Sequence, residues 1–378
     1  MSTRLLVRLH ILVAALWNRI LTIGRRRRSD VVKRILVTHH PQMIGDLLLL
    51  TPLLAKLREC YPSAEIILTT SVATATLYEG RPFGVVAVPY VPRQHRTLRH
   101  LLRHSGFDLA VAPGDNRYGW LALALDARWI VGFAGDKPAY KNWAFDELAL
   151  YPDTPGTWGE LTAMLIPGPP PKPYVSSDWP APRCKPFILP PTPYCVLHVG
   201  ASTPLKLWSA ERWRLLADLM KKRGMHVVWS GGPGEESLVA EIDPQQNHYS
   251  MAGQLDLAQL WKLLQNASLL VCPDTSVAHL GRLTGTPTVA LFGPGSPIIC
   301  GAGNYWRDSS FRAVTDAAFP CRDRQTLFGR HIHWLRRCGR TPDQCATPGA
   351  CMSAIPLDSV RNAIDELLNT RSNDAQRY

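Results

Sequence analysis

The stretch VCPDTSVAHLGRLTGTPTVALFGPGS, residues 271–296, compresses a strand end, a polar loop, a short helix, a second strand and a Gly/Pro loop into twenty-six residues. The apolar runs Ala267–Cys272 and Thr288–Phe292 have the length and β-branched content of buried parallel strands. The segment between them is long enough for a crossover helix. Open α/β sheets bind ligands outside the carboxyl ends of their strands, so Asp274, Thr275, Ser276 and His279 stand where a ligand is met. The helix start that follows offers unpaired N–H groups to an anion such as a diphosphate. The alternative reading of the same residues makes Asp274 a helix cap and His279 a buried, satisfied histidine.

The same grammar recurs on both sides of the Pro-rich stretch Pro167–Pro193, which contains GPPPKP and LPPTP and reads as an interdomain connector. Before it, Arg34–Thr38, Glu65–Thr69, Leu109–Ala112 and Trp129–Val131 read as strands, and Asp46–Cys60 as a helix with Leu47, Leu50, Leu54 and Leu57 on one side. After it come strands at Tyr194–Val199 and His226–Ser230, helices at Ser209–Arg223 and Leu257–Asn266, and then the opening segment. Leu357–Asn369 is a last helix. Strands alternating with helices on both sides of a linker imply an α/β fold of two Rossmann-like domains with a cleft between them. The expected organisation is a basic amphipathic segment over 1–30, an N-terminal domain over 31–166, the linker over 167–193, a C-terminal domain over 194–355 and a helical tail over 356–378.

With 378 residues and 46% hydrophobic composition, the chain is neither disordered nor a membrane bundle. Its net charge of +12 points to an anionic partner: a nucleotide, a phosphorylated lipid, an anionic membrane surface or nucleic acid. Nucleic acid is disfavoured, because the basic residues cluster at the termini with no recognisable nucleic-acid module between them. The opening Leu5–Ile23 is apolar but interrupted by Arg8, His10 and Arg19, which is too polar for a bilayer span, and Arg25–Arg28 follow it. Leu5, Leu9, Leu12 and Leu16 face away from Arg4, Arg8 and Arg19, as in an interfacial helix with a polybasic follow-on; an ordinary packed helix is the other reading. No small-residue cleavage site precedes the arginines, which argues against a signal peptide.

Nine cysteines, an odd number, without a secretory signal indicate a reducing compartment. The last four, Cys321, Cys338, Cys345 and Cys351, gather with His331 and His333 in a basic, loop-rich segment that permits a metal site or a disulfide. They contain no CxxC pair, so no metal is assigned.

Four loops at strand ends carry candidate chemistry. In THHPQMIGD, residues 38–46, Asp46 stands at a helix start as a general base or an N-cap. In HVGASTPLKLW, residues 198–208, Ser202, Thr203 and the cation Lys206 suit a phosphate. The Gly-rich turn SGGPGEE, residues 230–236, offers Glu235 to ribose hydroxyls. The fourth is Asp274–His279, with Gly293–Ser296 at the next strand end.

The run IGDLLLLTPLLAKLRECYPSAEI resembles the opening of glycosyltransferase family 9, the lipopolysaccharide heptosyltransferases. HVGAS…KLWSAERWRLLADLM, GGPGEE and AGQLDLAQLWKLLQNASLLVCPDTSVAHLGRLTGTPTVALFGPGSP resemble its donor-binding half in order and spacing, over roughly Arg34–Leu368. The resemblance implies the GT-B architecture of two facing Rossmann-like domains and inverting transfer of heptose from ADP-heptose, with no cofactor and no required metal. It implies a phosphorylated lipid-linked saccharide as acceptor, on the anionic cytoplasmic face of the inner membrane. It matches Asp46 to the acceptor-activating base, Lys206 to the lysine near the donor phosphates and Glu235 to the adenosine pocket. Asp274, Thr275 and His279 match the diphosphate and sugar contacts. Ser276 stands where the family usually has glycine, which alters donor fit if that backbone approaches a phosphate, and the loop around Ser202 and Thr203 is one residue longer than in some members. A protein heptosyltransferase with a cysteine-bound iron site, and a nucleotide-sugar-binding protein without turnover, are the alternatives.

Overall fold

The computed structural model describes residues 3–24 and 26–375. Arg25, one member of the expected basic run, and the end of the expected tail at 376–378 lie outside the described residues. Two six-stranded, wholly parallel sheets carry the fold. The first contains β1 (Arg34–Val37), β2 (Glu65–Thr70), β3 (Val85–Pro89), β4 (Leu109–Ala112), β5 (Ile130–Phe133) and β6 (Glu147–Ala149), in spatial order β3-β2-β1-β4-β5-β6. The second contains β7 (Tyr194–His198), β8 (His226–Ser230), β9 (Tyr249–Ser250), β10 (Leu269–Pro273), β11 (Thr288–Leu291) and β12 (Phe311–Val314), in order β12-β11-β10-β7-β8-β9. Numbered within its own sheet, each order is 3-2-1-4-5-6, the doubly wound Rossmann arrangement. The central strands are buried on both faces, which is why β4, β5, β7, β10 and β11 read as continuous apolar runs.

The helices that position the site loops and the surfaces beside them are α1 (Thr3–Leu21), α2 (Ile44–Leu49), α3 (Thr51–Cys60), α4 (His95–Leu102), α5 (Arg117–Ala124), α6 (Ala210–Lys222), α7 (Leu257–Gln265), α8 (Ser276–Thr284) and α9 (Leu357–Ala375). The single helix expected over Asp46–Cys60 is two, α2 and α3. Pro52 has no N–H to donate to Leu48, so the ladder breaks there, and the Thr51 hydroxyl donates to the Leu48 carbonyl instead. Val360, Ile364 and Leu367 of α9 join the same core as Trp213, Leu216 and Met220 of α6, closing one face of the second sheet.

The chain divides into two compact units. One comprises residues up to 172 together with 178–182 and 325–334; the other comprises 173–177, 183–324 and 335 onward. The chain therefore passes between units inside the Pro-rich stretch and again at both ends of 325–334. Residues 325–334, which the sequence places in the second domain, pack in the first unit. They form a hairpin, Thr326–Leu327 against Arg330–His331, whose two-residue turn Phe328–Gly329 has positive φ at both positions. A phenylalanine with φ 47° is held there because its ring packs on His39 and Trp158.

Helix α1 belongs to the first unit as well. Val7, Ile11, Ala14 and Ala15 lie along one edge of it and join the core that α4 and α5 cover. Asn18 Nδ2 donates to the Leu123 and Ala124 carbonyls at the end of α5, at 3.0 and 3.2 Å, satisfying groups that a helix C-terminus otherwise leaves open. Among the described residues no helix is long and apolar enough to cross a membrane.

Candidate functional sites of the two units

In a 3-2-1-4-5-6 sheet the crossovers change direction between strands 1 and 4, and the loops leaving those two strands splay apart to admit a ligand. In the first unit these are the loops after β1 and β4. Asp46, in the first turn of α2, places Oδ2 at 3.3 Å from His39 Nε2. The N-cap of α2 is Met43, so the carboxylate is not engaged as the helix cap. The Asp46 side chain is 27% exposed, whereas that of His39 is 1% exposed. His39 Nδ1 is buried without a hydrogen-bond partner among the described residues, and since a carboxylate only accepts, Nε2 is the donor to Asp46. Trp158 and Phe328 flank the imidazole, and any side chain at Gly114, in the loop after β4, would collide with it. Glycine is required at 114 for that approach.

A buried polar network backs this arrangement. Arg330, brought in by the hairpin, is 3% exposed. It donates to the carbonyls of Ala134 (2.8 Å), Gly114 (2.9 Å), Phe133 (2.9 Å) and Phe328 (3.1 Å) and to Asn116 Oδ1 (2.6 Å). Asp136, 3.9 Å from Arg330, accepts from the Asn116 backbone N–H at 2.8 Å and from Lys141 at 3.0 Å. Burial holds the Arg330 guanidinium below its ordinary pKa, with Tyr151 and Asp136 opposing that shift. The loops after β4 and β5 are thus tied to one side chain.

In the second unit the corresponding loops follow β7 and β10, and a single side chain joins them. Lys206 Nζ donates to the Asp274 carbonyl at 2.6 Å and to Asp274 Oδ2 at 3.0 Å. Lys206 ends the short 3-10 turn Pro204–Lys206, and Thr203 caps it by accepting from the Leu205 N–H at 3.4 Å. Asp274 does not cap the next helix. Thr275 does, accepting from the Val277 N–H at 3.3 Å, and Ser276 is the first residue of α8. Gly295, in the GPGS loop after β11, lies so close to Asp274 Oδ2 that a Cβ there would strike it.

His279, one turn into α8, is buried. Its Nδ1 faces Arg282, and since a guanidinium only donates, Nδ1 accepts and Nε2 carries the imidazole proton. Burial, then the charges of Arg282 and Lys206, hold its pKa well below the ordinary histidine value, so it is neutral near pH 7. Arg282 is itself anchored on the Gly301 and Cys300 carbonyls and lies over the rings of Phe311 and Trp306. His279 is thus a buried histidine satisfied at Nδ1, with a neutral N–H at Nε2.

Glu235 precedes a helix without capping it through its side chain. Its Oε2 accepts from the Gly232 N–H at 2.6 Å and lies directly over Gly200, so that a Cβ at 200 would collide with the carboxylate. The loops after β7 and β8 therefore meet at this carboxylate. Ser202 is exposed and Thr203 half-buried. Of the nine sequence candidates, Asp46 belongs to the first unit and the other eight to the second. No sequence pattern marks His39, Gly114, Asn116 or Arg330. His39 is one of two adjacent histidines with no pattern to separate them, and Arg330 lies in a stretch whose cysteines and histidines are its most conspicuous side chains.

That stretch is split. His331 and His333 lie in the first unit, whereas Cys321, Cys338, Cys345 and Cys351 lie in the second. All nine cysteines are free thiols. Burial raises the Cys351 pKa, and the neighbouring thiols of Cys321 and Cys338 add to it. Among the described residues no group of three or more His, Cys, Asp or Glu side chains takes a metal-holding arrangement.

The family model of glycosyltransferase family 9 (heptosyltransferase) matches residues 95–331, more than half of the chain. A lipopolysaccharide heptosyltransferase 1 of Pseudomonas aeruginosa is 34% identical over 134 residues, covering 35% of this chain and 36% of that protein. The chain spans less than half the length of the curated relatives it matches. The structure of Escherichia coli ADP-heptose lps heptosyltransferase II superposes with a TM-score of 0.65 at 20% identity, covering 90% of this chain and 99% of that one. E. coli heptosyltransferase WaaC with ADP gives a TM-score of 0.65 at 16% identity, covering 88% and 99%. These likenesses identify the fold as GT-B, and with the family match over half of the first sheet and all of the second, the chain belongs to glycosyltransferase family 9, the heptosyltransferases.

Proposed function

We propose that the protein transfers heptose, with inversion, from ADP-heptose to a phosphorylated, lipid-linked saccharide of the lipopolysaccharide core type. The observation that carries this reading is the Lys206–Asp274 pair beside the start of α8 at the switch point of the second sheet, in a chain of this family. Departure of ADP builds negative charge on the diphosphate. The Lys206 ammonium, the Nε2–H of His279 and the first N–H groups of α8 answer that charge at no reorganisation cost. Asp274 fixes the lysine in place through two of its three N–H donors and leaves the third to meet a phosphate oxygen. Thr275 and Ser276 form the helix entrance on which the phosphates rest; Ser202 and Thr203 line the preceding loop, and Glu235 binds the ribose.

In the first unit, Asp46 serves as the base. It takes the proton of the acceptor hydroxyl as that oxygen bonds to the anomeric carbon and the bond to the diphosphate breaks, so the configuration inverts. His39 holds the carboxylate in the orientation that receives the proton.

A donor panel tests the proposal: thermal shift and turnover with ADP-heptose beside UDP- and GDP-sugars, each with a lipid-linked core saccharide. ADP-heptose is expected to stabilise the protein and to be consumed only when the acceptor is present. Stabilisation without turnover on any acceptor would leave a binding protein, and transfer to a polypeptide instead would replace the acceptor class.

A further inference from the structure

Two strongly basic segments contain no acid. Residues 1–29 carry seven arginines and no acid, and residues 91–107 carry four arginines, three histidines and no acid. The fold brings them together. Helix α1 packs on α4 and α5, and His10 Nδ1 lies 2.9 Å from His95 Nε2 where α1 meets the start of α4. On α4, Leu98 and Leu101 point into the core, while Arg96, Arg99, His100 and Arg103 follow the i, i+3, i+4, i+7 spacing of one solvent-exposed stripe.

The outer side of α1 is apolar. Ten exposed large apolar side chains fall between Leu5 and Ile23, among them Leu9 (48% exposed), Val13 (58%), Trp17 (62%) and Ile20 (62%). One edge of the helix is therefore buried in the first unit and the remainder shows hydrocarbon, with exposed Arg4 and Arg8 beside it and the α4 stripe next to it. The basic run after the helix contributes less than its sequence suggests. Arg26 forms a two-pronged pair with Asp146, its Nε at 2.8 Å from Oδ1, and Arg19 reaches the same carboxylate at 3.4 Å. These two arginines fasten the segment to the domain.

We propose that α1 and the arginine stripe of α4 together form a docking face for an anionic lipid bilayer, with the α1 side chains entering the acyl boundary and Arg4, Arg8, Arg96, Arg99 and Arg103 meeting lipid phosphates. No acid interrupts either element, which is the complement of a negative surface and the opposite of what a face built for a second copy of the same chain requires. The helix lies in the interface instead of crossing it. This goes beyond the transfer reaction, since the face contains no residue assigned to donor, acceptor or base.

Co-sedimentation of the full chain with phosphatidylcholine vesicles, with and without phosphatidylglycerol, tests it. Binding is expected only to the anionic vesicles and is expected to fall as salt rises. The triple variant Arg96→Gln/Arg99→Gln/Arg103→Gln is expected to lose on the order of 100-fold in affinity, three arginines at about 1 kcal/mol each. Val13→Gln/Trp17→Gln is expected to weaken binding at every salt concentration. Both variants keep turnover of a water-soluble acceptor analogue, which reports that they fold and separates failure of the docking face from failure of the enzymatic reading. Equal binding to neutral and anionic vesicles, wild-type binding by the α4 variant, or a concentration-dependent dimer abolished by Val13→Gln/Trp17→Gln in a protein that ignores vesicles would each overturn the proposal.

Discussion

His39 Nε2 donates to Asp46 Oδ2 across 3.3 Å, joining the loop after β1 to the first turn of α2 with a buried imidazole behind a partly exposed carboxylate. A base that must meet a hydroxyl in one orientation gains from such a partner, because its rotamer is set before substrate arrives. Asp46→Asn is expected to lower kcat by about 10²–10⁴ while donor affinity stays near wild type. His39→Leu is expected to lower kcat by roughly tenfold with little change in donor KM, and His39→Gln, which restores an N–H donor, to recover part of the loss. Steady-state kinetics on the three variants decide the matter. Full activity in Asp46→Asn removes the base assignment; inactivity of Asp46→Asn together with full activity of His39→Leu removes only the positioning role.

The Lys206–Asp274 pair gives the second prediction. The lysine is 22% and the aspartate 8% exposed at the side chain, so removing the cation leaves a largely buried carboxylate without its partner. Lys206→Ala is expected to weaken ADP binding by roughly 10-fold or more, the value of a charge-assisted contact to phosphate, and to affect free adenosine little. Asp274→Asn keeps the shape and releases the lysine, and is expected to lower turnover more than ADP affinity. Calorimetric titration with ADP and adenosine measures the difference; equal ADP affinity in wild type and Lys206→Ala contradicts the phosphate role.

Eight of the twelve sheet strands are legible in the sequence, and the four that escape it, β3, β6, β9 and β12, are the four sheet edges. The reason is physical. A central parallel strand is covered on both faces and reads as an apolar run, whereas an edge such as Phe311–Val314, with Arg312 and Ala313 exposed, shows no such run; β3, VVAVP, is as apolar as a central strand, so this reason does not extend to it. The site divides in the same way. Strand-end loops can be found from pattern, which is why Asp46, Lys206 and Asp274 stand out, but pairings across loops depend on strand order. Only the 3-2-1-4-5-6 topology brings Lys206 to Asp274, and only the hairpin at 325–334 brings Arg330 to Asn116.

Arg330 supplies a prediction about stability. Its five hydrogen bonds tie the loops after β4 and β5 to the hairpin turn, and its planar fork has no equivalent in lysine. Arg330→Lys is expected to destabilise the first unit by roughly 3–5 kcal/mol, because Asn116 and several buried carbonyls lose their donor. The turn above it carries Phe328 against His39, so kcat is expected to fall further than donor affinity. Urea unfolding together with ADP titration checks both statements; a variant with wild-type stability would show that the network is replaceable.

The last prediction concerns pH and the second unit. His198, at the end of β7, is buried with Nδ1 3.1 Å from Ser230 Oγ, and burial pushes its pKa down to about 4. Unfolding returns it to about 6.5, so between these values the unfolded chain binds a proton that the folded chain refuses. Its contribution is therefore fully present above pH 6.5 and is lost as the pH falls toward 4. His279, also held below its ordinary value, acts in the same direction. Between pH 7 and pH 5 the His198 part alone is expected to cost about 2 kcal/mol, following 1.36 kcal/mol per unit. His198→Gln removes the titrating group while keeping a hydrogen-bonding side chain, so its urea stability is expected to fall less over that interval than the wild type's, by about the same 2 kcal/mol. If wild type and variant lose equal stability from pH 7 to pH 5, the buried imidazole is not what acid attacks.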